Sequence, residues 1–382
     1  MPWKTDTQMN LRREFLDRLK GGERMTALCL EYGISRKTGH ALANRYDVLG
    51  AQALLERSRR PHRSPTQTSD AVAAELLRAR RKHPTWGAKK LRAWLSRVAL
   101  GVKWPAPSTI GDVLRRNGLV EPRRRRESYT TWDGGLTQAT VANDVWCADF
   151  KGQFRLGSGG YCYPLTASDR ASRYLLACDA FGRIDTDEVI ASFFTVFREC
   201  GLPDVIRTDN GVPFATKGIA GLSRLAVTWL RLGIRHERIQ PAHPEQNGQH
   251  ERMHRVLKQE TTRPAASNLL GQQERFDRFV HEYNVVRPHE ALDMRTPAEL
   301  FVHSKRAMPL VVPEPRYPLH DDAVYVNASG RISLLRTAVF VGSCLDGQLV
   351  GVRELDNDRW LVSFAGVDLG VWIKGNETLE RT

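Results

Sequence analysis

The chain has 382 residues, 41% hydrophobic and 26% charged, long enough for two to four domains and apolar enough to fold them, so extensive disorder is excluded as its default. The net charge of +14 is unevenly placed, with +17 on residues 1–126 and −3 on residues 127–382. That split points to an amino-terminal third that grips a polyanion, nucleic acid foremost, followed by a near-neutral catalytic or packing region.

No apolar signal core and no run of about 18 apolar residues is present, so secretion and membrane spanning are disfavoured and a cytoplasmic location is expected. The six cysteines, at 29, 147, 162, 178, 200 and 344, form no CxxC pair or zinc-module spacing. They read as reduced core residues.

The apolar positions Leu11, Phe15 and Leu19, then Leu28, Leu30 and Tyr32, then Leu42 and Tyr46 predict three short helices. Tyr32-Gly33-Ile34-Ser35 closes one helix at a glycine and opens the next at a serine N-cap, a helix-turn-helix arrangement. Ser35 to Tyr46 is then the expected recognition helix, with Ser35, Arg36, Lys37, Thr38, His40, Asn44 and Arg45 as candidate DNA contacts. Past the proline- and arginine-rich residues 59–65, helices at 70–82, 88–97 and 108–117 predict a second such unit. Its last helix is expected to open at Ser108, which with Thr109 joins the DNA-contact candidates. Arg123, Arg124, Arg125 and Arg126 read as a linker along a phosphate backbone. Either unit alone could be a three-helix bundle with a solvated charged face; two basic units in succession favour DNA.

Strand-like runs at 144–156, 161–168 and 173–179, a helix at 186–199, a strand at 204–209 and helices near 217–232 and 247–263 give an α/β order with an antiparallel opening. In the first strand Val145, Cys147, Asp149 and Lys151 alternate with Trp146, Ala148 and Phe150, which leaves an acid among apolar neighbours and in need of a partner. Asp209 ends the next apolar strand ahead of Asn210-Gly211, a tight-turn pair at the carboxyl end of the sheet. Glu251 begins a helix whose same face is expected to carry His254, Arg255 and Lys258. Three such carboxylates would repel one another unless divalent cations neutralised them, and oxygen ligands favour Mg²⁺ or Mn²⁺. Two ions per site can support both hydrolysis and strand transfer at phosphorus.

Trp146-Cys147-Ala148-Asp149-Phe150, the run Arg207 to Phe214 and the run His243 to Lys258 resemble the retroviral-integrase-type DDE transposases of bacterial insertion sequences. Tyr283-Asn284, Arg287-Pro288-His289-Glu290-Ala291-Leu292 and Thr296-Pro297 extend the resemblance, which spans about residues 10–303. It implies an RNase H-like core, an Asp149, Asp209, Glu251 triad that binds metal and performs catalysis, and Lys258 holding transposon-end DNA. Double-stranded DNA, both element ends and target, is the implied partner, with a homodimer or larger assembly joining two ends. Three features depart from the pattern. The 41 residues between Asp209 and Glu251 exceed the roughly 35 usual there and imply an insertion near Lys217 to Arg224. Glu245 is a decoy for the third acid, and Pro164 suggests a bulge or imperfect strand. The zinc-binding amino-terminal module of retroviral relatives is absent.

Two other readings compete. His250-Glu251-Arg252-Met253-His254 is a literal H-E-x-x-H, the zinc-protease helix, although Arg252, Arg255 and Lys258 make it cationic. A DNA-binding protein without catalysis is the second. Downstream, Phe276, Phe279, Val280 and Tyr283 form one helical packing stripe. Short alternating runs at 322–326, 331–335, 338–341, 348–354, 359–364 and 369–373 predict a small β-barrel with a packing or assembly role. The expected architecture is thus multidomain: tandem all-α helix-turn-helix units at 1–60 and 61–126, an α/β RNase H-like core at 127–305, and an all-β barrel at 306–382.

Overall fold

In the amino-terminal part, helices α1 (Thr5–Lys20), α2 (Met25–Glu31) and α3 (Arg36–Leu49) close over Phe15, Leu16, Leu28, Cys29 and Leu54. The computed structural model describes residues 5–56, 67–120, 135–240, 243–356 and 358–380, and the chain divides into two compact units, Met1–Gln67 and Thr68–Thr382. Gly33, at φ 65°, ends α2 in the left-handed region, and the Ser35 hydroxyl accepts from the Thr38 N–H at 3.1 Å. The predicted turn chemistry is therefore the observed one. Helix α3 approaches its neighbours so closely that a Cβ on Gly39 would lie 2.6 Å from Cys29 Sγ and 2.8 Å from Met25 Sδ. Leu30 departs from expectation and is 86% exposed: the seven-residue α2 has one inward face, filled by Leu28 and Cys29.

Helices α4 (Asp70–Lys82), α5 (Ala88–Val98) and α6 (Pro107–Arg116) form the next module around Leu76, Trp86, Leu91, Leu95, Trp104, Ile110 and Leu114. Ser108 is not the cap of α6. Ala106 holds that position with Pro107 in the first turn, where its fixed φ suits the helix and its missing N–H costs nothing. This module is fastened to the carboxyl-terminal helices of the core. The Arg287 guanidinium lies over the Trp86 ring and donates to Glu260 at 2.9 Å, Thr85 donates to the same carboxylate at 2.5 Å, His83 meets Glu282 at 2.9 Å, and Arg97 meets Glu299 at 3.0 Å.

The central sheet comprises β1 (Val145–Phe150), β2 (Phe154–Arg155), β3 (Tyr161–Asp169), β4 (Leu175–Phe181), then, after helix α7 (Thr186–Cys200), β5 (Val205–Thr208), and, after α8 (Arg224–Arg231), β6 (Arg235–Arg238). Its order is β2-β3-β1-β5-β6 with β4 also on β3; β1, β3 and β4 run antiparallel and β1, β5 and β6 parallel. One face packs Trp146, Ala148, Leu165 and Ile206 against α7 and α8 through Phe193, Phe197 and Trp229. The other packs Cys162, Leu175 and Cys178 against α9 (Gly248–Thr261) and α10 (Leu269–His281) through Met253, Leu257, Phe276, Phe279 and Tyr283, so the expected packing stripe is present. Pro164 makes no bulge. Its carbonyl accepts the Lys151 N–H at 2.9 Å, so its absent N–H faces the same side, where the chain turns away at Gly152; the register shift lies instead at Ala167/Ser168.

The carboxyl-terminal strands are β7 (Asp322–Tyr325), β8 (Arg331–Leu334), β9 (Thr337–Phe340), β10 (Leu349–Asp356), β11 (Arg359–Phe364) and β12 (Val367–Ile373). They pair as an open antiparallel sheet, β12-β11-β10-β7, and a β8-β9 hairpin, with isolated bridges from Thr378 to Phe340 and from Glu380 to Val371 running between the two; among the described residues no continuous ladder closes them into the expected barrel. Both pieces share one apolar core, and Leu222, Ala226 and Val227 of the central region belong to it. The extra residues between Asp209 and Glu251 thus supply part of the seat for this sheet. All six cysteines are free, five of them buried. Among the described residues no helix is long and apolar enough to cross a membrane.

Candidate active site

The alternation of β1 turns Trp146 and Ala148 toward α7 and α8, and therefore Asp149 toward α9. The parallel register pairs Cys147 with Arg207, so two residues further on Asp149 is level with Asp209, just past the end of β5. Neighbouring strands lie about 4.8 Å apart, which makes these two acids adjacent at one end of the sheet. The Asp209 carboxylate accepts the Gly211 N–H at 3.0 Å, fixing the turn that exposes it. Glu251 lies in the first turn of α9 and is exposed, where the helix dipole favours a negative charge.

Asp149 registers both of the other acids. Burial, then the charge of Asp209, and more weakly that of Glu251, push its carboxyl up to about 7 against the opposing pull of the Phe150 N–H and Lys151. The three predicted acids therefore interact around one end of the sheet. Among the described residues, however, no group of three or more His, Cys, Asp or Glu side chains is drawn together closely enough to hold a metal ion. The Glu245 side chain lies outside the described residues.

Helix α9 has two faces. His250, Met253, His254, Leu257 and Thr261 are buried against the sheet, while Glu251, Arg255 and Lys258 are exposed. His254 does not share the exposed face with the bases, as its spacing suggested, because it belongs to the inward stripe. The imidazoles of His250 and His254 both meet the Thr166 hydroxyl, at 2.7 and 2.6 Å through Nε2. Burial lowers both histidines, His250 to about 3, so they are neutral at physiological pH. The zinc-protease reading fails on this geometry: the nitrogens that would bind metal are engaged with β3, and Glu251 points the other way.

The candidate DNA contacts separate by what they touch. Ser35, Arg36, Lys37, Thr38, His40 and Asn44 are exposed on α3 or at its cap, with Ser35 and Thr38 also bonded to each other through their hydroxyls at 2.9 Å. Arg45 is half-buried and donates to the Ala53 carbonyl, which turns it inward rather than toward a groove. Ser108 is exposed and Thr109 half-buried on α6. Arg123, Arg124, Arg125 and Arg126 lie outside the described residues.

Sequence reasoning missed three supports of this site. Thr166, opposite Asp149 on β3, is an ordinary strand residue with no motif to mark it. Asn284 pins the turn after α10 to β4 by exchanging bonds of 2.8 Å with the Leu175 N–H and carbonyl; the Tyr283-Asn284 pair was visible, its task was not. Buried Arg207 donates to Glu237 at 2.7 Å and to the Thr137 carbonyl at 2.7 Å, tying β5, β6 and the segment entering β1 together.

Residues 139–244 match a family model described as integrase core domain, residues 232–297 match a second model of the same description, and residues 38–114 match a homeodomain-like domain. Among solved structures the chain is similar to the HTLV-2 integrase catalytic core domain in complex with magnesium in its trimeric form, at 15% identity over 43% of this chain and 100% of that one, with a TM-score of 0.35. It is also similar to a simian T-cell lymphotropic virus intasome in complex with PP2A regulatory subunit B56 gamma, at 15% identity over 71% and 92% of the two chains, with a TM-score of 0.38.

Proposed function

We propose that this chain, a member of the transposase/integrase superfamily, is a DNA transposase that binds the terminal inverted repeats of its element, cleaves there and transfers the freed strand to target DNA. The observation that carries this reading is the register that sets Asp149 level with Asp209 at one end of the sheet of an integrase core domain, where burial and its two acidic neighbours push the Asp149 carboxyl up. A half-buried carboxyl that is costly to ionise alone calls for a cation, and carboxylate oxygens select Mg²⁺ or Mn²⁺ over softer metals. Asp149, Asp209 and Glu251 would hold it. The chemistry a bound pair of such ions would supply there is activation of a water or 3′-hydroxyl and stabilisation of the leaving oxygen.

The remaining roles belong to the chain itself. Arg255 and Lys258 extend the exposed face of α9 beyond Glu251 and bind backbone phosphates of the element end. The exposed side chains of α3 and α6 read duplex DNA in the segments 1–60 and 61–126, while residues 127–305 perform the chemistry and 306–382 serve packing or assembly. Joining two ends in concert requires two active sites, hence a dimer or larger complex on DNA, working on the nucleoid in the cytoplasm.

The test is cleavage of a duplex carrying the inverted repeats that flank its gene, with Mg²⁺ or Mn²⁺. The wild type is expected to nick it and Asp149→Asn to fall to background with its melting temperature preserved. Cutting by both proteins alike would remove the triad assignment, and cutting by neither would leave a DNA-binding protein without catalysis.

A further inference from the structure

The two histidines of the H-E-x-x-H run converge on one hydroxyl that also touches the backbone of Asp149. Thr166 Oγ1 lies 3.1 Å from the Asp149 carbonyl, 2.7 Å from His250 Nε2 and 2.6 Å from His254 Nε2. All these groups are buried or nearly so. A threonine hydroxyl has one proton and two lone pairs, and a carbonyl can only accept. The proton therefore goes to the Asp149 carbonyl, and both lone pairs receive N–H donors, one from each Nε2. Both rings are then neutral Nε2–H tautomers, with Nδ1 unprotonated. For His250 that lone pair has its own donor, the Ser168 hydroxyl at 2.9 Å. For His254 it faces the Asp149 carboxylate, Nδ1 to Oδ2 at 3.7 Å, where it offers no proton.

We infer that Thr166, His250 and His254 are positioning residues that lock α9 onto the strand bearing Asp149, fixing where Glu251 stands relative to that acid while His254 gives the Asp149 carboxylate no proton and leaves it open to a cation. The inference rests on the proposed catalytic role of Asp149 and Glu251, and it gives the buried H-E-x-x-H histidines a task that neither packing nor zinc binding supplies. A simple apolar contact would hold the helix but not its rotation. Three bonds to one atom fix both, because a hub of this kind tolerates little rotation of any partner.

The tautomers can be read directly from nitrogen-15 NMR of the full chain labelled at its eleven histidines, with His250→Gln and His254→Gln spectra assigning the two signals. Two neutral Nε2–H rings are expected; an Nδ1–H tautomer at either position overturns the inference, whatever the enzyme does. The second arm compares Thr166→Val, which keeps the shape without the hydroxyl, with Thr166→Ser, which keeps the hydroxyl. Thr166→Val is expected to weaken Mn²⁺ binding, measured with the metal alone, and to slow end cleavage, each by about 10–100-fold, and Thr166→Ser to restore most of both. Thr166→Val indistinguishable from the wild type in Mn²⁺ binding would overturn it, as would equal losses in the Val and Ser variants. Retained cleavage in Asp149→Asn would instead strike the underlying reading, leaving the tautomer result to stand by itself.

Discussion

Lys258 stands two helical turns beyond Glu251 on the exposed face of α9, far enough to touch a phosphate while the acid faces the reacting one. Lys258→Ala is expected to weaken end-DNA binding several-fold at every sequence and to reduce the salt dependence by about one unit of slope, with unfolding unchanged because the side chain is exposed. An unaltered salt slope in a binding titration would reject that contact. The acids themselves were legible as residues: Asp149 by its place in an alternating strand, Asp209 by the turn that follows it. What could not be read was which side of α9 each neighbour of Glu251 takes. His254 and Lys258 both lie at helical spacing from Glu251, and only the stripe formed with Met253 and Leu257 decides that one turns inward and the other outward.

Among the elements, helix α3 shows how closely local chemistry and packing agree. Its serine cap and preceding glycine set its start, and Gly39 sets its distance from α2. A Gly39→Val change adds helix-unfriendly branching and drives a side chain into Cys29 and Met25, so a loss of about 1–3 kcal/mol is expected for the amino-terminal unit. Urea unfolding should show it, and a variant as stable as the wild type would mean that α3 can shift outward freely. The helices of both modules and the carboxyl-terminal strands fall close to their sequence-based positions because their apolar periodicity is strong. Strand β6 was invisible for the opposite reason: Arg235, His236, Glu237 and Arg238 carry no apolar residue. It exists through pairing with β5 and through the Arg207–Glu237 ion pair at 2.7 Å, a tertiary cause that no window of sequence contains. How the carboxyl-terminal strands would join was equally hidden, since strand positions do not reveal whether the last edge returns to the first.

For the molecule as a whole, acid should be a selective stress. Burial, with Arg238 adding, lowers His236 to about 4, and burial, with Lys90 adding, lowers His289 to about 3. Each stays neutral in the folded state while its unfolded counterpart, with an ordinary value of 6.5, takes up a proton. The unfolded state binds more protons below 6.5, so the stability these residues contribute is complete above that pH and declines from there toward 4, by about 1.4 kcal/mol per pH unit for each histidine. Unfolding at pH 7 and pH 5 measures the slope, and His289→Gln should flatten it by about one histidine's share. An identical slope in the variant would show that His289 is protonated without cost.

The attachment of the α4–α6 module to the core has a mechanical meaning. If α6 grasps the element end, the bonds from Thr85 and Arg287 to Glu260 and the contact of His83 with Glu282 make that module a ruler: the base pairs it recognises and the phosphodiester that is cut are separated by a fixed length of duplex. Replacing Glu260 and Glu282 together by alanine loosens the ruler without touching either end of it. Mapped at single-nucleotide resolution, the cut should then scatter over neighbouring phosphodiesters, whereas a single sharp position would show that the duplex itself sets the distance.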